Sequence, residues 1–305
     1  MSRVTILQVP YDSGYRGFGM GLGPERLLAR GAADRLKRTG HEVDVEMIDV
    51  DPEGPVIEPG FTFLVLRRLA DRVRGTVGAG SFPLVLAGNC MTSVATTAGL
   101  DPEGLGVVWF DAHGDLNTPE TSPSAFLDGM ALTCLMGRCW KGATAGIEGF
   151  KPLPLENAIL VGARDLDPGE RELIESTGLV HLSPGDLEGG TVVSRVLDEL
   201  RGRVRRVHLH LDLDVLDPSV ATFNRFAAPG GLAIEQVEVM IDAMAERFEI
   251  AAAAATAFDP QFDDDCRASA AALRIIEMIG RAILPRERQP RGRFPNPGFG
   301  DRTGR

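Results

Sequence analysis

Eight short apolar runs, separated by segments of helical periodicity, restrict this chain to a parallel sheet covered by helices. The runs lie at residues 4–9, 42–48, 83–87, 106–111, 158–161, 180–182, 206–212 and 253–258. Several are apolar nearly throughout, which is how strands read when both faces are buried. Between them lie amphipathic stretches at 61–74, 169–176, 191–200, 234–248 and 269–282. This alternation builds βαβ units and an α/β class with one parallel sheet. Of the 305 residues, 1–284 are expected to form a single domain, and the Arg/Pro/Gly-rich stretch 285–305 reads as a frayed, solvated tail.

Composition removes several function classes. The net charge is −11 and residues 1–284 carry no basic stripe, so nucleic-acid binding by phosphate neutralisation is not expected. No run of about 18 apolar residues occurs, as a membrane-spanning helix needs; the alanines at 251–255 belong to a short stretch. Met1 leads into the first apolar run without a basic n-region or a long h-region. Cys90, Cys134, Cys139 and Cys266 form no CxxC pair, which suits a reducing compartment. A soluble, cytoplasmic protein with no membrane partner is the expectation.

Two of the apolar runs end in acids. The first gives Asp111-Ala112-His113-Gly114-Asp115; the second gives His210-Leu211-Asp212-Leu213-Asp214-Val215-Leu216-Asp217-Pro218. In extended chain, residues two apart point to one side, so Asp111, His113 and Asp115 can converge, as can Asp212 and Asp214. Open parallel sheets bind ligands beyond the carboxyl ends of their strands. Two acidic tips placed there repel each other unless a cation lies between them. Four carboxylates and an imidazole suit a hard or borderline divalent ion such as Mn²⁺. Helix or turn capping explains one Asp before a proline well; it explains both strings poorly. The long loop at 116–129 directly follows the first string, and patternless loops of that length are commonly functional.

At these strings the chain resembles the arginase, agmatinase and formiminoglutamase (ureohydrolase) family. The likeness extends to Pro10-Tyr11-Asp12-Ser13-Gly14, to the turn from Gly19 to Pro24 and Glu25, and to Val161-Gly162-Ala163-Arg164-Asp165-Leu166-Asp167-Pro168-Gly169-Glu170. Leu86-Ala87-Gly88-Asn89-Cys90 stands where that family has Gly-Gly-Asp-His, and the whole likeness covers about residues 3–280. It implies a three-layer α/β/α sandwich around an eight-stranded, mostly parallel sheet. The implied reaction is hydrolysis of a linear guanidine or amidine C–N bond by a hydroxide bridging two divalent ions, most often Mn²⁺. One ion would be held by Cys90, Asp111, Asp115 and Asp212, the other by Asp111, His113, Asp212 and Asp214. Asn117 and Ser124 fall where arginases bind an α-carboxylate, and Asp167 and Glu170 where they meet an α-amino group. That pattern points to an amino-acid substrate such as arginine or an N-hydroxyguanidino analogue. The implied assembly is a homo-oligomer, a trimer or hexamer.

Three positions depart from the family pattern. Cys90 replaces a histidine ligand. As a thiolate it would join four aspartates to give −5 against +4 from two ions, favouring Zn²⁺ or Fe²⁺; as a neutral core thiol it would leave one site weak. Asp128 replaces a proton-shuttling histidine and needs burial to lift its pKa from about 3.9 toward neutrality. Ala257 stands where a guanidinium-binding Glu is usual, with Asp259 as the expected substitute on the same face. Two alternatives therefore stay open beside arginase-like hydrolysis: an agmatinase- or formiminoglutamase-like hydrolase, and a catalytically weak homologue that binds metal or an amino acid. His208 and His210 read first as core histidines, either of them able to support the metal ligands from behind.

Overall fold

The computed structural model describes residues 2–51 and 57–284; the expected tail at 285–305 lies outside them. Eight strands form the centre: β1 Arg3–Val9, β2 Glu42–Met47, β3 Ser81–Ala87, β4 Leu105–Phe110, β5 Ala158–Val161, β6 Val180–Leu182, β7 Arg206–Asp212 and β8 Glu249–Thr256. Their order is β2-β1-β3-β8-β7-β4-β5-β6, and every neighbouring pair runs parallel. The helices between them are α1 Gly23–Ala29, α2 Ala32–Arg38, α3 Glu58–Gly78, α4 Thr92–Gly99, α5 Ala131–Leu135, α6 Lys141–Thr144, α7 Pro168–Thr177, α8 Thr191–Arg201, α9 Ile234–Arg247 and α10 Arg267–Ala282.

Successive strand residues serve opposite cores, so both faces must be apolar. Ile6, Leu84, Val108 and Leu209 face one cluster with Leu36 of α2, Leu197 of α8, Ile241 of α9 and Ile276 of α10. Leu7, Val85, Val107 and Trp109 face the other, with Leu69 of α3, Val94 of α4 and Leu132 of α5. This is the three-layer sandwich that the resemblance implies. Burying one such Leu contributes about 1.5–3 kcal/mol. The edge strand β2, Glu-Val-Asp-Val-Glu-Met, is half exposed and carries three acids, which discourages pairing with another chain.

The expected run at 253–258 is displaced: β8 pairs from Glu249 and stops at Thr256, because Ala257 turns to φ +63° and leaves the extended region. Helices α1, α2, α4, α5 and α6 have no counterpart among the expected amphipathic stretches. Helix α4 is buried on all sides and so shows no polar stripe to read. Gly31, at φ +95°, divides α1 from α2 with a conformation that costs glycine little.

Candidate metal centre and its cavity

The carboxyl ends of β3, β8, β7 and β4, adjacent at the middle of the sheet, open on one cavity of about 250 Å³. Cys90, Asp115, Asp212, Asp214 and Ala257 line it. The chain reaches position 90 through Gly88, where an added Cβ would sit 2.2 Å from the Tyr11 carbonyl oxygen; only glycine permits this approach of β3 to β1. Strand β4 ends at Phe110, so the first acidic string converges through a turn and not by strand alternation. In that turn Asp111 accepts the His113 amide at 2.7 Å, and Asp115 adopts φ +50°, a region that Asp tolerates better than most residues. Beyond β7 the second string enters a single 3₁₀ turn, in which Asp212 accepts the Asp214 amide at 2.9 Å.

These turns bring two sets of donor atoms together. Atoms of Cys90, Asp111, Asp115 and His210 lie within 4.8 Å of one another, as do atoms of Asp111, His113 and Asp214. Asp212 joins them through Cys90, whose thiol donates to Asp212 Oδ2 at 3.0 Å. Among the described residues no Lys or Arg pairs with Asp111, Asp115, Asp212 or Asp214; their ionic partner is His113, 3.2 Å from Asp111 and 3.6 Å from Asp214. Burial first, and the neighbouring carboxylates after it, push the pKa values of Asp115, Asp212 and Asp214 up. Burial also raises the Cys90 thiol, with Asp212 adding to it. Burial opposes charging of His113, yet its hydrogen bond to Asp111 and the charges of Asp214 and Asp111 prevail and lift its pKa to about 10. Asp115 Oδ2 and His210 Nε2 are buried without a hydrogen-bond partner, and unpaired groups of that kind are costly unless something binds them. Oxygen-rich donors, imidazoles and two orphaned buried atoms fit divalent cations.

Residues 2–280 match the family model described as the arginase family. The chain is 32% identical over 301 residues to the arginase of Bacillus caldovelox, covering 93% of this chain and 100% of that protein. It is 31% identical over 294 residues to the arginase of Bacillus subtilis (strain 168), over 92% and 99%. The crystal structure of arginase from Bacillus cereus superposes with a TM-score of 0.83 at 30% identity, over 93% of this chain and 99% of that one. This chain belongs to the arginase family.

Within that family framework the expected site residues fall into three groups. Cys90, His113, Asp115, Asp212 and Asp214 line the cavity, with Asp111 directly beneath them, 1% exposed. Trp109 Nε1 donates to Asp111 Oδ2 at 3.1 Å, which fixes that carboxylate. Asn117, Ser124, Asp128, Asp167 and Glu170 also line the cavity. Asn117 donates to Asp167 at 2.8 Å, tying the long loop to the start of α7. Glu170 accepts the amides of Leu116 and Asp167, both at 2.9 Å, so its carboxylate braces two backbones. Asp128 Oδ2 accepts from Asn89 Nδ2 at 2.9 Å and from the Cys90 amide at 3.0 Å, while Oδ1 accepts the Met91 amide at 2.8 Å. Burial raises its pKa to about 7, against the lowering effect of these three hydrogen bonds.

Asp259, the expected substitute for the usual Glu, does not line the cavity. The left-handed turn at Ala257 breaks the alternation that would have put positions 257 and 259 on one face. Asp259 instead accepts the Gln261 amide at 2.9 Å and starts a 3₁₀ turn. Several cavity features carry no strong sequence signal. Asn224 donates to Asp214 Oδ2 at 3.2 Å and to the Ala257 carbonyl at 2.9 Å. Phe126 and Phe226 stack at 5.6 Å between centroids on the cavity wall. Arg164 donates to the carbonyls of Gly162, Asp214, Val215 and Ala228, pinning the second acidic turn to the exit of β5. No described helix is long and apolar enough to cross a membrane.

Proposed function

We propose that this chain hydrolyses the guanidine C–N bond of an amino acid, L-arginine or its N-hydroxy analogue, and releases urea. The observation that carries this reading is the convergence of ligand atoms at the carboxyl ends of β3, β4 and β7 into two groups that share Asp111, the atoms of each group lying within 4.8 Å of one another. Two divalent ions bound there would acidify a water and so supply a nucleophile at neutral pH. Mn²⁺ is the proposed metal, given the predominance of carboxylate donors.

The chain's own residues do the rest. Asn117 and Ser124 on the long loop receive the substrate's α-carboxylate, and Asp167 receives its α-amino group. Among the described residues no Lys or Arg lines the cavity, so a cationic substrate meets net negative charge. With a pKa near 7, the Asp128 carboxyl is poised to give a proton to the departing amine. Phe126 and Phe226 narrow the mouth against water. Residues 1–284 are proposed to work as one unit, in the cytoplasm and as a homo-oligomer.

Substrate discrimination tests the proposal. Metal-reloaded protein should release urea from L-arginine or N-hydroxy-L-arginine and much more slowly from agmatine, which lacks the carboxylate. Equal rates on arginine and agmatine would remove the roles given to Asn117 and Ser124.

A further inference from the structure

We propose that His210 is itself a metal ligand, its Nε2 coordinating the ion on the Cys90 side together with Asp111 and Asp115. This rests on the metal-dependent reading above and goes beyond it, because the expected ligand set contains no residue from within β7 before Asp212.

Three independent observations point this way. First, a ring nitrogen of His210 belongs to the same group of donors as Cys90, Asp111 and Asp115, all within 4.8 Å. Donors bound at 2.0–2.3 Å to one tetrahedral ion lie about 3.3–3.8 Å apart, so these four need to close by about an ångström to form a shell. Second, Nδ1 is engaged by Ser93 Oγ at 2.8 Å, while Nε2 is buried and has no partner. Third, the hydrogen-bond chain behind the ring determines where its proton sits. The Ala252 carbonyl can only accept, so His208 Nδ1 donates to it at 3.3 Å. A fully buried imidazole with no carboxylate partner stays neutral, so His208 Nε2 carries a lone pair and accepts from the Ser93 hydroxyl at 2.9 Å. Ser93 Oγ then accepts from His210 Nδ1–H. The remaining lone pair of His210 is on Nε2, the nitrogen without a partner. Supporting groups that set the tautomer of a ligating histidine are a general feature of metal sites.

The fold holds the ring in that pose. Trp109 and His210 are register partners on β4 and β7, and their rings stack with centroids 3.6 Å apart. On the other side β8 places Ala252 and Ala254 beside His208 and His210, leaving room for two imidazoles under α4. The imidazole absent at position 90 is thereby replaced from the strand below. The Cys90 thiol is left to donate to Asp212 and to pair with Thr256 Oγ1 at 3.3 Å.

The full-length protein, stripped of metal, labelled with ¹⁵N-histidine and reloaded with ¹¹³Cd²⁺, provides the test. We expect one-bond ¹¹³Cd–¹⁵N coupling on two histidine rings, assigned to His113 and His210. In His210→Gln one coupling disappears and bound cadmium falls from two ions per chain to one. Coupling to His113 alone in the unmodified protein overturns the inference, and that result stands even if His210→Gln fails to fold. A His210→Gln protein that keeps both ions and unchanged couplings overturns it as well. Absence of any cadmium uptake overturns this inference and the proposed function together, whereas uptake without coupling to the His210 ring overturns this inference alone.

Discussion

Asp128 grips the turn that presents Cys90: its Oδ2 accepts the Cys90 amide at 3.0 Å, and its Oδ1 accepts the neighbouring Met91 amide at 2.8 Å. The residue proposed to move a proton is thus also the anchor of the loop beyond β3. Both roles depend on burial, which leaves Asp128 7% exposed.

That burial predicts an unusual pH dependence for the metal-free protein. The folded-state pKa of Asp128, about 7, lies above its ordinary value of 3.8, so the folded chain binds this proton more tightly than the unfolded one. Its contribution to stability is complete below pH ~4 and is lost as pH rises through about 7. Asp128→Asn keeps one acceptor oxygen, breaks amide contacts at 89–91 and lowers stability by about 1–3 kcal/mol at pH 5. Urea unfolding midpoints between pH 4 and 8 check both effects. The fall with rising pH should be shallower in Asp128→Asn than in the unmodified chain.

Metal loading should release protons. His113, with a pKa of about 10, is charged at neutral pH in the metal-free state, and coordination requires its neutral form. Calorimetric titration at pH 7.5 in buffers of different ionisation enthalpy should show net proton release on binding. Apparent affinity should rise as pH increases toward 10. His113→Asn should release fewer protons per ion bound.

Position 257 is proposed to limit guanidinium recognition. Ala257 lines the cavity at φ +63°, and a Glu there bears no greater backbone cost than Ala, since both carry a Cβ. A charge-assisted hydrogen bond contributes about 1.5–3 kcal/mol, so Ala257→Glu should lower KM for L-arginine about tenfold or more. The gain on an uncharged amidine should be smaller. Steady-state kinetics on both substrates checks this.

Arg164 braces the second acidic turn through the carbonyls of Asp214, Val215 and Leu216. Arg164→Met leaves these acceptors short of partners, at about 1–3 kcal/mol for each one that stays buried. Thermal denaturation should show a Tm lower by several degrees, and metal affinity should drop as Asp214 loses its position. Arg164→Lys should recover little, because one ammonium does not span the same carbonyls.

Much of this is legible in the sequence, and the gaps have physical causes. The acidic strings stand out because clustered carboxylates at the ends of apolar runs have few alternative explanations. The sandwich follows from strands that are apolar on both faces. Asp259 misleads because alternation holds only while the backbone stays extended, and Ala257 leaves that region. His210 looks like a core residue within an apolar run; only its register with Trp109 and its contact with Ser93 reveal where Nε2 points. Asn224 and Phe226 lie in a loop without periodicity, so their approach to Asp214 and Phe126 depends on tertiary structure.

The acids at the tips of β4 and β7 are proposed to gather around catalytic divalent ions. The decisive experiment titrates metal-stripped protein with Mn²⁺ and measures bound metal and urea release from L-arginine and N-hydroxy-L-arginine on the same samples. Urea production should be absent without metal and should rise in step with occupancy to two ions per chain. Failure to bind Mn²⁺, or binding without urea release from any guanidine or amidine offered, would contradict that proposal.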